Sequence, residues 1–119
     1  MNVALAPDRH PRTERIFLGP KLLRASHVHG RPEGGIGHWC PGCGVLHVIA
    51  PGIENRGTLA TPDFDADFDL KWRGFGLIAP GGRCHYRIVL GLILFGRDCT
   101  HRLAGITVPL PDLPGHLRE

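Results

Sequence analysis

GHWCPGCGVLHVIAPG, residues 37–52, decides how this chain folds. Two cysteines, Cys40 and Cys43, stand two residues apart, with Pro41 and Gly42 between them and Gly44 directly after. Glycines at such a corner let backbone N–H groups turn toward the sulfurs, the local geometry of a zinc-ribbon knuckle. A redox reading of Cys-x-x-Cys competes, but it wants the pair at the start of a helix in a βαβ context. Gly44 and the run from Val45 to Ile49, rich in β-branched residues, instead predict a hairpin. One strand enters the knuckle from His38 and a second leaves it.

A closed tetrahedral site takes four ligands, so two more have to come from elsewhere. Cys84-His85 and Cys99-Thr100-His101 are the candidates, about forty residues downstream. Cys84 and Cys99 lie fifteen residues apart, a separation that a hairpin closes by bringing its two ends together. On extended backbone Cys99 and His101 share a face, whereas Cys84 and His85 point to opposite faces. The simplest assignment is Cys40, Cys43, Cys84 and Cys99 around one zinc ion, with His101 or His85 as substitutes for a later cysteine. His47, four residues past Cys43, is either a ligand or a partly buried partner, and Asp98 is placed to orient a ligating histidine. His10, His27, His29, His38 and His116 lie in polar or flexible stretches and are expected at the surface.

The rest of the chain supports a structural use of zinc over a catalytic or redox one. No His-Glu-x-x-His or His-x-Glu pattern sets a general base beside the candidate ligands. The 119 residues are one domain's worth, and 17 glycines and 11 prolines favour short strands and turns over long helices. Such a β unit has a small core, and zinc binding supplies folding free energy that the core lacks. Four cysteines also point to metal before disulfides if the chain is made in the cytosol, as the absence of a signal-peptide pattern in MNVALAPDRHPRTER suggests. The longest apolar run, Ile88 to Phe95, is too short to span a bilayer, so no membrane role is expected. A net charge of +3 is too mild to argue for nucleic acid by itself.

Along the chain, residues 1–36 read as an extended arm of Pro, Gly, Arg and His with one apolar patch from Ile16 to Leu23. Pro20 argues against a central strand there. Residues 37–113 read as the zinc-stabilised β domain and 114–119 as a C-terminal tail. TPDFDADFDLKW puts Phe64, Ala66, Phe68, Leu70 and Trp72 on one parity and four aspartates with Lys71 on the other, a half-buried strand with a solvated acidic face. RCHYRIVLGLILFGRDCTH follows the turn at 79–82 and predicts two strands joined near Leu90-Gly91. Ile106 to Leu110 is one more short extended segment.

The order CPGC…H, then a Pro-x-Phe strand ending in Trp, then CH…G.I.F..DCTH.LAG.TV.LP resembles a small family of tailed phages and prophages. Its members often carry the labels "ammonia monooxygenase" or "anaerobic dehydrogenase", which have no visible mechanistic basis. The matching residues include Cys40, Cys43, His47, Pro62, Phe64, Trp72, Cys84-His85, Asp98-Cys99-Thr100-His101 and Leu103-Ala104-Gly105. The resemblance covers about residues 38–113 and implies a zinc-bound phage product without supplying a reaction. The family's hairpin turn is polar, whereas this chain has Val89-Leu90-Gly91-Leu92. An apolar hairpin tip needs cover, from its own chain or from another.

The sequence therefore predicts a small β-rich fold of zinc-ribbon-like hairpins, stapled by one metal site and preceded by the arm. The expected function is a non-enzymatic phage structural or interaction protein, such as a minor capsid, cement or decoration component. It would be made in the host cytoplasm and reside in the virion. It would dock on other phage structural proteins, or on a second copy of itself, through Ile16, Phe17, Leu18, Val89, Leu90 and Leu92. The alternative is a nucleic-acid-binding or host-directed regulatory zinc module. For it speak the basic residues Arg9, Arg12, Arg15, Lys21, Arg24 and Arg31; against it, no aromatic platform interleaves with them.

Overall fold

The computed structural model describes residues 15–25, 34–50, 52–71 and 82–117. Among these residues, eight short strands form two four-stranded antiparallel sheets, each running in chain order. The first holds β1 (Arg15–Phe17), β2 (Leu23–Ala25), β3 (Gly35–Cys40) and β4 (Val45–Ile49). The second holds β5 (Phe68–Lys71), β6 (Arg83–Val89), β7 (Leu92–Phe95) and β8 (Thr107–Pro109). The two expected hairpins, β3–β4 around the knuckle and β6–β7 around Leu90-Gly91, are both present.

Period-two alternation decides which residues face inward. Ile36, His38 and Cys40 of β3 stand opposite Ile49, His47 and Val45 of β4. This face meets Cys84, Tyr86 and Ile88 of β6 and Ile93 and Phe95 of β7 in the main core, which Phe64 and Leu110 complete. The other face of the first sheet is covered too. Leu23 and Ala25, flanked by Trp39 and Leu46, pack against Leu113 and Leu117, the latter in a short 3₁₀ turn, Gly115–Leu117.

That second cluster revises the reading of both ends. Residues 15–25 are not part of a detached arm: Gly19-Pro20-Lys21 is the turn of the β1–β2 hairpin, and Leu22, Leu23 and Ala25 are buried. The Leu113 amide donates to the Pro20 carbonyl, and the Lys21 ammonium to that of Leu110. The expected boundary at residue 37 falls inside β3, and the expected tail holds buried Leu117. Residues 1–14 and 26–33 of the expected arm, Trp72, the 79–81 turn and the histidines 10, 27 and 29 lie outside the described residues.

The aspartate-rich segment alternates as expected but forms a shorter strand. Phe64 is fully buried and joins Asn55 in an isolated bridge, and among the described residues ladder pairing runs from Phe68 to Lys71. Asn55 Oδ1 accepts from the amides of Gly57 and Asp63, so a tight loop replaces the first half of the strand. The acidic row is paired with arginines of β6: Asp69 with Arg83 at 2.6 Å, and Asp65 and Asp67 with Arg87.

The β6–β7 turn carries two costs at one residue. Leu90 has φ 49° and Gly91 φ 83°, the double left-handed geometry of a two-residue hairpin turn that favours Asn-Gly. Leu90 is also 65% exposed. A left-handed L-residue costs roughly 1–2 kcal/mol, from which Asn is partly exempt. Leu90→Asn should therefore raise the stability of the isolated protein by about 1 kcal/mol, read as a higher denaturation midpoint with unchanged m-value.

Candidate metal centre

Four buried side chains, Cys40, Cys43, Cys84 and His101, bring one ligand atom each to within 4.8 Å of all the others. Each arrives by a different local device. Cys40 ends β3 on its inner face, and the turn that follows closes with the Gly44 amide on the Cys40 carbonyl at 2.9 Å. That turn presents Cys43, whose amide points at Cys40 Sγ from 3.3 Å. Cys84 lies on the inward parity of β6 beside Tyr86. His101 comes from the turn after β7, which is tied to the end of β6 by Gly96 N–H to His85 C=O, Thr100 N–H to Arg83 C=O and Arg83 N–H to Thr100 Oγ1.

The spacings fit a tetrahedral ion. Metal–sulfur bonds of about 2.3 Å give sulfur–sulfur edges of about 3.8 Å, and a nitrogen ligand gives an edge of about 3.5 Å. Cys40 Sγ and Cys84 Sγ are 3.9 Å apart, and Cys84 Sγ and His101 Nε2 are 3.5 Å apart. The His101 ring is clamped by Phe95 at 4.5 Å in an edge-on contact and lies directly over Gly42, where a side chain would not fit. The Leu103 amide faces its Nδ1 at 3.2 Å. Ligation through Nε2 places the ring proton on Nδ1, so filling the site weakens that Leu103 contact.

Electrostatics reinforce the fit. Donation from Cys43 and Cys84 holds the Cys40 thiol far below its ordinary range, and the crowding pushes Cys84 far above it. Three thiols this close resist ionising together without a cation. A divalent ion is what lets all three ionise. Burial keeps the His101 pKa below the usual imidazole value, so it is a neutral ligand.

Cys99, the fourth expected ligand, stands outside this group, and His101 takes its place. The Cys99 thiol donates to the His85 carbonyl and accepts from the His85 amide, both at 3.2 Å. The expectation assumed extended backbone through Cys99–His101; the chain turns there instead, sending the two side chains to different neighbours. His85 faces away from Cys84, as the alternation requires, and its Nδ1 meets the Asp98 carboxylate at 3.1 Å. Asp98 therefore holds a half-buried histidine and Arg83, not a ligand of the cluster. Among the other expected positions, Ile16, Phe17, Leu90 and Leu92 are exposed, and Leu18 and Val89 half-buried.

One residue escaped the sequence reading. His38, expected at the surface, is fully buried and donates to or accepts from the Tyr86 hydroxyl at 2.7 Å through Nε2. Burial and nearby His47 lower its pKa to about 3, so it is neutral. The signal was available: His38 shares parity with Cys40 on a strand, so an inward Cys40 implies an inward His38. His47 is buried beside them, its ring stacked on Tyr86 at 5.5 Å.

Comparison with protein-family models, with curated proteins and with solved structures finds no match for this chain. The reading of the site rests on its own geometry.

Proposed function

We propose that this protein is a zinc-stapled, non-enzymatic structural and interaction component of a phage particle. The observation that carries the metal reading is the buried Cys₃His group, whose spacings suit a tetrahedral ion and whose four protein ligands leave no open position for a substrate. Cys40 and Cys43 belong to the β3–β4 hairpin, Cys84 and His101 to the β6–β7 side, so the ion would tie one sheet to the other. Zinc suits a donor set of three thiolates and one imidazole.

The docking part rests on the resemblance to a phage family and on one end of the molecule. Gly19 of the β1–β2 turn packs against Leu59, and Gly91 of the β6–β7 turn against Thr61. Phe17, Leu59, Leu90 and Leu92 thus lie on or next to these adjoining turns, and all four are exposed. Leu90 holds a strained backbone to present an apolar side chain to water, which is costly unless a partner covers it. The nucleic-acid alternative has less support: Arg56, Arg83 and Arg87 are each paired with aspartates.

Mass spectrometry of purified phage particles, with elemental analysis of the purified protein, tests the proposal. The expected result is a fixed copy number per particle and about one zinc per chain. A protein absent from particles, or binding DNA with steep salt dependence, overturns the structural role in favour of the regulatory one.

A further inference from the structure

We infer that His47 is a positioning residue of the metal centre, donating a ring N–H to the Cys40 thiolate and thereby strengthening metal retention. The inference rests on the reading that a divalent ion occupies the Cys₃His group. Three thiolates and a neutral imidazole around a divalent ion leave one net negative charge in a buried core. Such a charge is costly unless N–H groups converge on the sulfurs.

The sheet register supplies the donor. His47 stands opposite His38, and Cys40 opposite Val45, so His47 and Cys40 are diagonal neighbours on the inner face of the same hairpin. Diagonal partners on a sheet lie within reach of a ring side chain. Consistent with this, the His47 side chain lies within hydrogen-bonding reach of the Cys40 thiol. The Cys43 amide, 3.3 Å from the same sulfur, is a backbone donor that no side-chain substitution removes.

The ring is held in place from the far side of the core. His47 stacks on Tyr86 at 5.5 Å with an interplanar angle of 19°, and meets His38 edge-on at 5.6 Å. Tyr86 is in turn fixed by its 2.7 Å hydrogen bond to His38. His38 and His47 come from the first sheet and Tyr86 from the second, so the group that orients the donor forms only when the sheets close. Side chains that hydrogen-bond a ligand orient it and tune the metal, and their loss typically costs about 10–100-fold in affinity.

The test uses the full chain loaded with Co²⁺, whose absorption reports both ligand count and sulfur-to-metal charge transfer, together with chelator competition for Zn²⁺. His47→Phe keeps a ring for Tyr86 to stack on but removes the N–H. It is expected to bind Zn²⁺ about 10–100-fold more weakly, with a shifted charge-transfer band and an unchanged tetrahedral d–d envelope. His47→Gln, which retains an N–H, should recover most of the affinity. Should the Phe variant fail to fold, Gln against Met gives the same contrast at equal side-chain length, with Gln the tighter binder. Equal affinity and identical bands in donor and non-donor variants overturn the inference, and so does loss of the tetrahedral envelope in His47→Phe, which would make His47 a ligand. A wild-type chain that takes up neither Co²⁺ nor Zn²⁺ instead overturns the metal reading beneath it.

Discussion

With zinc in the Cys₃His group as proposed, a strong chelator should abolish the cooperative unfolding transition, and His101→Ala or Cys84→Ser should do the same, while Cys99→Ser leaves it nearly intact. The magnitudes decide this. Structural zinc contributes roughly 10–16 kcal/mol of apparent binding free energy, which matches or exceeds the about 5–15 kcal/mol net stability of a small domain. Without the ion, Cys40, Cys43, Cys84 and His101 are polar groups facing one another in the core between the sheets. Cys99 is also buried, but it is held by two hydrogen bonds to the His85 backbone, which a serine hydroxyl also makes. Its replacement should therefore cost only about 0.5–1.5 kcal/mol. Thermal or urea unfolding with and without chelator, monitored by circular dichroism, separates the two classes.

Acid should act in the same direction as the chelator. The ligands bind metal deprotonated, so falling pH releases it. His38 adds to this: its native pKa is about 3 against an ordinary 6.5. Between those values the unfolded chain takes up a proton that the native protein refuses, so stability falls as pH drops through that window.

Gly42→Ala should disable the metal centre from a position that carries no ligand. A Cβ at Gly42 would stand 2.3 to 2.5 Å from three atoms of the His101 ring. That ring has little freedom to yield, because Phe95 packs against it at 4.5 Å. Displacing it takes Nε2 off the tetrahedral position 3.5 Å from Cys84 Sγ. Overpacking costs about 1–3 kcal/mol, so metal affinity should drop about 10–100-fold in chelator competition. Gly115→Ala, with nothing within 4 Å of the added methyl, is the control and should bind like wild type. Equal affinity in both variants would show that His101 does not ligate from this position.

The β-rich class, the knuckle hairpin and three of the four clustered side chains were legible because each depends on local pattern. Cys40 and Cys43 follow from Cys-x₂-Cys with a flanking glycine, and Cys84 from alternation along an uninterrupted strand. The choice between Cys99 and His101 was not local. It depended on where β7 ends and on how Gly96 and Thr100 hydrogen-bond back to β6. Strand parity does not extend through such a turn.

The N-terminal hairpin escaped for a related reason. Three-residue strands such as Arg15–Phe17 and Leu23–Ala25 are too short for periodicity, and Gly19-Pro20 reads equally as a turn or as the break-up of an arm. Leu23 and Ala25 are buried only because Leu113 and Leu117 return from the other end of the chain to cover them. Sequence by itself determined the strands and turns of the two cysteine-bearing hairpins and a cysteine–histidine group able to hold a metal, since these follow from spacing and backbone chemistry. Tertiary structure alone decided which side chain completes that group and that His38, His47 and Tyr86 gather behind it. Those outcomes depend on two sheets closing face to face, which brings together residues that no local pattern relates.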